Sequence, residues 1–450
     1  MQSFPNAVRT EADRLRIDDR RTTSAGVIAA TALLFIYQGY SLSVAGVAAP
    51  WIAKSFHLTQ KELADLFAWM SISAIGSLLL ARMADRIGRR LIILVSLFLA
   101  PIFAAIAALA PHPMSFAASE IMLSGLLGGS VSSAIVLLAE ELPVKRRAQG
   151  QASAALASAV GAVLAYLLIP FVISWGYSWR WLLAPCVAGI VLVWPIARML
   201  PRRCAASGEE ARSNTVQSGR LFDILHPLYR KRAMALLACA ALDTMAGTAV
   251  NGWLYFEAVS IIGLSPKSAS TLVLTGMVVG MIGFPVGAWP SDHLGRVRTV
   301  AFFGGAAWLG ALGFYWRPAG TLAFPITWLL AAYCWFRIGS SIMTVGANAA
   351  ATELFPSGLR TTMIGWQMIT GAAFTMLAQV VIAVLIRPLG GLENVIRYFA
   401  LLGFPSAVVF GFFVDETRGL GMDVAGKEAE WKAAHRPAAV EPDQLSDVIR

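Results

Sequence analysis

The sequence is short of charge. Asp, Glu, Lys and Arg make up 14% of its 450 residues, while 57% are hydrophobic; a soluble domain carries about a quarter charged residues. Disorder needs the opposite balance, low hydrophobicity with high charge, and is excluded. A soluble enzyme of two or three domains is excluded on the same ground, because it would have more apolar surface than its core could hide. Cysteine is scarce as well. Cys186, Cys204, Cys239 and Cys334 are scattered, and no pair has the spacing of a disulfide framework or a metal site. The five histidines, His57, His112, His226, His293 and His435, fall outside the apolar runs without ligand spacing. No His-Glu-x-x-His, Ser/His/Asp or phosphate-loop pattern occurs. No catalytic residue, metal or cofactor is therefore expected.

What the chain has is apolar length. Twelve segments approach the roughly 20 residues a membrane helix needs: 26–53, 62–81, 91–110, 115–141, 150–174, 179–200, 233–260, 268–290, 299–316, 321–352, 361–386 and 395–414. The first follows a polar stretch and has no small-residue cleavage site, so it reads as a span and not as a signal peptide. The expected fold is an all-α membrane protein. Residues 1–24 form a polar tail, 25–200 a six-helix bundle, 201–232 a polar linker, 233–414 a second six-helix bundle and 415–450 a second tail.

The formal charge of +10 would point to nucleic acid in a soluble protein. Its distribution gives another cause. Of 36 Lys and Arg residues, 28 lie on the side of the termini and linker, 7 on the other side, and one, Arg337, within a span. Basic residues collect in cytoplasmic loops, so both termini are expected in the cytoplasm, the partner surface is the lipid bilayer, and no nucleic acid is needed.

Two patterns recur in both halves. Gly76 is followed after eight residues by Asp85-Arg86-Ile87-Gly88-Arg89-Arg90, and Gly283 after eight residues by Asp292-His293-Leu294-Gly295-Arg296. Glu140-Glu141-Leu142-Pro143 precedes Arg147 at the end of the fourth segment, and Glu353-Leu354-Phe355-Pro356 precedes Arg360 at the end of the tenth. Glycines let helices approach closely and turn sharply. Asp at a helix end favours the positive N-terminus of another helix, and arginines pair with carboxylates.

With these motifs the chain resembles a major facilitator superfamily transporter over about residues 25–420. Ala81 stands where the family usually has a second glycine. The resemblance implies alternating access of two six-helix bundles about a site near the bilayer midplane. It implies a cytoplasmic gate of Asp85, Arg89, Arg90, Glu140, Arg147, Asp292, Arg296, Glu353 and Arg360. Asp415-Glu416-Thr417-Arg418-Gly419 resembles the segment after the last helix of sugar-type members, with Asp in place of Pro. Helices 1, 4, 7 and 10 line the cavity in this family. Charges within spans are costly and mark function, which makes Arg337, Asp243 and Glu120 the candidate substrate and coupling residues, with Asp243 able to pair with Arg337. Asp65 and Glu257 sit near outer helix ends and are expected to be solvated. The first helix is similar to that of aromatic-acid and related metabolite–proton symporters, but Gln38 and Ser41 replace that group's two acids. Gln38, Tyr40 and Asn251 remain candidate substrate contacts. The expectation is a monomeric carrier in the cell membrane that takes up a small, anionic organic acid or similar metabolite, with the proton as coupling ion. A sugar or polyol carrier, a drug efflux antiporter and a non-transporting sensor are the alternatives. The few Asn and Gln in helices 5, 7 and 8 weigh against the sugar carrier. The absence of a Gly-Pro pair in Ala159-Val160-Gly161-Ala162-Val163-Leu164 weighs against efflux.

Overall fold

The computed structural model describes residues 4–141, 144–200, 223–227, 229–316, 326–355 and 357–416. No strand occurs among them. Twelve stretches are long and apolar enough to cross a membrane: α1 Ala25–Ser55, α2 Gln60–Ala84, α3 Arg89–Leu109, α4 Pro113–Leu138, α5 Ser153–Ser174, α6 Trp179–Met199, α7 Arg230–Ile261, α8 Pro266–His293, α9 Arg296–Tyr315, α10 Ile326–Ala351, α11 Thr362–Leu385 and α12 Leu392–Phe413. The helix of α1 begins earlier, at Phe4, so the described part of the N-terminal tail is helical.

Local chemistry sets several ends. Thr59 caps α2: its hydroxyl accepts from the Glu62 amide, and the Glu62 carboxylate accepts from the Thr59 amide at 2.8 Å. That reciprocal arrangement satisfies two otherwise orphaned donors. Gly88 and Gly295 stand at the same place in the two repeats, before α3 and α9, and share a left-handed backbone, φ +112° and +108°. Side chains rarely adopt that conformation, so the repeated glycine is a repeated turn.

Three spans are irregular. The α2 span is interrupted after Met70. The α6 span alternates between 3₁₀ turns, Trp179–Leu183 and Gly189–Leu192, and short α segments. The α7 span runs as an α-helix to Gly252, breaks at Trp253, resumes over Leu254–Phe256 and ends in a π-helical turn, Glu257–Ile261. Such breaks need a local cause, and here the glycine precedes the break.

The described chain forms two compact units. One gathers α1–α6 with the segments Asn251–Leu274 and Thr375–Val395, and the other holds the rest of α7–α12. Below, "even side" denotes the helix ends joined by the α2–α3, α4–α5, α6–α7, α8–α9 and α10–α11 connections, and "odd side" the opposite ends.

Candidate substrate and coupling sites

Arg337 lies mid-way along α10, in the second unit. Its path is set by a glycine on α8. A Cβ at Gly280 would stand 3.3 Å from Arg337 Nε, 3.4 Å from its Cβ and 3.6 Å from Nη2. The glycine leaves room for the guanidinium to cross α8 there, and a larger side chain would take that room. Arg337 Nε is buried without a hydrogen-bond partner, and Arg337 makes no described ion pair. Tyr333, one turn away and buried, lies within electrostatic reach of the guanidinium.

Asp243 is in the same unit but does not pair with Arg337, so the direct pair allowed by the sequence is not formed. The guanidinium is directed across α8 at Gly280, while Asp243 has the Cys239 thiol as an electrostatic neighbour. Two opposite charges thus stand half-buried and unmatched in one unit. Unmatched charge at membrane depth is costly, and a ligand that supplies the missing partner is the ordinary relief.

Glu120 on α4 is only 2% exposed, and its Oε1 has no partner. The surroundings follow from the irregular α6. Two tyrosines of α1 bond its backbone: Tyr40 donates to the carbonyl of Leu182, in the first 3₁₀ turn, at 2.7 Å, and Tyr37 to that of Cys186, in the short α segment, at 2.8 Å. Tyr40 is thereby a brace between α1 and α6. Its hydroxyl is engaged and the residue is buried, which removes it from the candidate substrate contacts. The neighbouring Ser41 hydroxyl is buried against the Tyr37 hydroxyl and the Cys186 thiol. Gln38 accepts a hydrogen bond from Ser158 of α5 at 3.1 Å.

On the odd side of the first unit, aromatic residues interlock. Tyr255 contacts Trp51 and Tyr166 at centroid distances of 6.3 and 5.6 Å, and Trp253 stacks obliquely on Phe67 at 5.1 Å. Trp253 donates from Nε1 to Gln379 of α11 at 3.3 Å. Asn251 ends the long α7 helix just before this layer. Glu257 is fully buried, contrary to the solvated position expected from its place near a helix end. The break at Trp253 and the π-helical turn fold this short segment in among the aromatic residues.

The even side of the second unit brings Asp292, Arg296 and Glu353 together, within one half and not across the two halves. Arg296 makes a two-pronged contact with Glu353, 3.1 and 3.3 Å, and a further ion pair with Asp292 at 2.8 Å. Its Nη1 also donates to the Ser291 carbonyl. Sequence reasoning gave no role to Glu416, which caps α9 by accepting from the amides of Arg296 at 2.8 Å and Val297 at 3.2 Å. Asp415 accepts from Arg232 at 2.7 Å. In the first unit Arg90 donates to the Ala197 carbonyl at 2.8 Å, and Arg89 opens α3. Asp85, Glu140, Arg147 and Arg360 lie outside the residues whose side chains are described. No group of three or more His, Cys, Asp or Glu suited to a metal occurs among the described residues.

The family model for the Major Facilitator Superfamily matches residues 31–379. The chain belongs to this superfamily. Among transporters of known sequence, it is 26% identical to a gentisate transporter from Corynebacterium glutamicum, with 75% of each chain covered. It is 25% identical to a probable 4-methylmuconolactone transporter from Cupriavidus pinatubonensis, with 87% of this chain and 89% of the relative covered. Among solved structures, a D-xylose–proton symporter superposes with a TM-score of 0.66 at 19% identity, over 88% of this chain and 98% of that one. The superfamily protein is a multi-pass membrane transporter, with twelve candidate spans among the described residues.

Proposed function

We propose that this transporter carries a small organic anion, an aromatic or ring-derived carboxylate, into the cell by proton-linked alternating access. The observation that supports this most is Arg337. It is a cation at mid-span with a buried, unpartnered nitrogen, held across α8 by Gly280. A guanidinium offers two parallel donors to a carboxylate. The gentisate and 4-methylmuconolactone transporters among its relatives support the same class. The excess of basic residues on the even side supports termini in the cytoplasm of a cell-membrane protein.

The test is uptake into proteoliposomes and a thermal-shift screen against gentisate, other aromatic acids, muconolactone-type acids and sugars. A bound ligand raises stability by mass action. Acids are expected to stabilise the protein and to be taken up. Arg337→Gln is expected to abolish uptake while the protein stays folded. Stabilisation by sugars alone, or uptake unchanged in Arg337→Gln, overturns the assignment.

A further inference from the structure

We infer that Glu120 is the residue that takes up and releases the coupling proton, at a buried site inside the first compact unit. This rests on the proton-linked reading above and assigns it a place.

Three helices surround the carboxyl, and an aromatic triad forms a lid. Glu120 of α4 is 2% exposed, with Oε1 unpartnered. The Cys186 thiol of α6 lies within its electrostatic reach, and the buried Ser41 hydroxyl of α1 lies against that thiol. A buried carboxyl oxygen without a partner is unusual in a folded interior, where such groups are nearly always satisfied. One turn toward the odd side, Phe116 packs on Phe56 and Trp179 at 6.3 and 5.5 Å, and Phe56 packs on Trp179 at 6.3 Å. Phe116 and Trp179 are buried. This triad lies between the carboxyl and the odd-side end of α4.

Several ionisable groups on the surrounding helices are held elsewhere. Tyr37 and Tyr40 of α1 donate to α6 carbonyls. Arg180, at the start of α6, lies over the Phe56 and Trp179 rings and donates to the Ala108 carbonyl at 2.7 Å. Asp65 of α2 is paired with Lys61. Tyr166 of α5 packs on Tyr255. Arg89 and Arg90 of α3 lie at its opposite, even-side end. No cation is thus described against the Glu120 carboxyl. An ionised carboxylate in such surroundings is expensive, and a bound proton removes the charge. Separation of the lid wets the carboxyl and lets the proton go. The proton site then lies in one compact unit and Arg337 in the other.

Two measurements decide the matter. Infrared difference spectra of purified protein in light and heavy water, between acid and alkaline buffer, are expected to show one titrating protonated-carboxyl band. The band should be absent in Glu120→Gln, retained in Asp243→Asn, and exchange its proton faster in Phe116→Ala. Radiolabelled gentisate uptake into proteoliposomes is the second measurement. Glu120→Gln is expected to lose accumulation driven by a proton gradient while retaining gentisate exchange, and Glu120→Asp to keep accumulation with an altered pH profile. Accumulation that survives in Glu120→Gln overturns the assignment, as does a titrating band that vanishes in Asp243→Asn and not in Glu120→Gln. Wild-type uptake of gentisate that ignores the proton gradient overturns the proton-linked reading, and the assignment with it.

Discussion

The role given to Arg337 depends on a residue that has no side chain, which makes Gly280 the sharper place to press. A Cβ there would already stand 3.3 Å from Nε and 3.4 Å from Arg337 Cβ, closer than most real contacts, so alanine asks for a shift of a few tenths of an ångström. Leucine adds a branch carbon about 1.5 Å further out, in the space the guanidinium occupies. The fork must then leave its crossing of α8. A hydrogen bond between charged partners contributes about 1.5–3 kcal/mol, so losing it weakens carboxylate binding by about 10- to 150-fold. The expected series in gentisate uptake is a KM close to wild type for Gly280→Ala and a rise in that range for Gly280→Leu. A bulky residue at a helix contact also strains packing, so the diagnostic is the double variant. If leucine acts through the guanidinium, Gly280→Leu combined with Arg337→Gln binds gentisate no more weakly than Arg337→Gln alone, read as a dissociation constant because uptake is already lost in Arg337→Gln; this is the signature of coupled neighbours. Independent, additive losses in the cycle, or a wild-type KM in Gly280→Leu, refute the reasoning.

Two further outcomes follow from the even-side cluster. Gly295→Ala forces a side chain into a left-handed backbone at φ +108° and into the Glu416 carboxylate. The backbone cost alone is about 1–2 kcal/mol, and it is expected as a lower apparent melting temperature, more than the same change produces at Gly305, where a Cβ meets nothing within 4 Å. Arg296→Lys keeps the charge but loses the planar fork toward Glu353 and Asp292. It is expected to slow transport turnover while leaving the gentisate KM unchanged; a raised KM with unchanged turnover contradicts this placement.

The spans were legible because a bilayer-sized apolar run is hard to disguise, and Arg337 because a lone cation inside one stands out. The Asp292–Arg296–Glu353 cluster was legible through repetition. Other features depend on distances the sequence does not carry. Glu416 reaches α9 across 120 residues, and neither segment has a pattern that names the other. Tyr40 read as a substrate contact because the first helix lines the cavity in the family the chain resembles, and only the Leu182 carbonyl of α6 decides which way it is held. Glu257 read as solvated because counting residues along a helix assumes an unbroken helix. The break at Trp253 and the π-helical turn invalidate the count. Glu120 was visible as a charge, but its burial was not: Ser41, Cys186 and Phe116 are unremarkable residues on three different helices.

The composition of the first compact unit also bears on how the protein is made. Its helices α1–α6 leave the ribosome early, yet the unit includes Asn251–Leu274 and closes only with Thr375–Val395. Trp51, Phe67 and Tyr166 therefore enter the membrane well before Trp253 and Tyr255 exist to cover them. At about 5–20 residues per second of synthesis, the interval before the last segment emerges is on the order of 10–40 s. Throughout it the nascent protein presents an unfinished aromatic face, and whatever shields that face during insertion, lipid or insertion machinery, governs the yield of folded transporter.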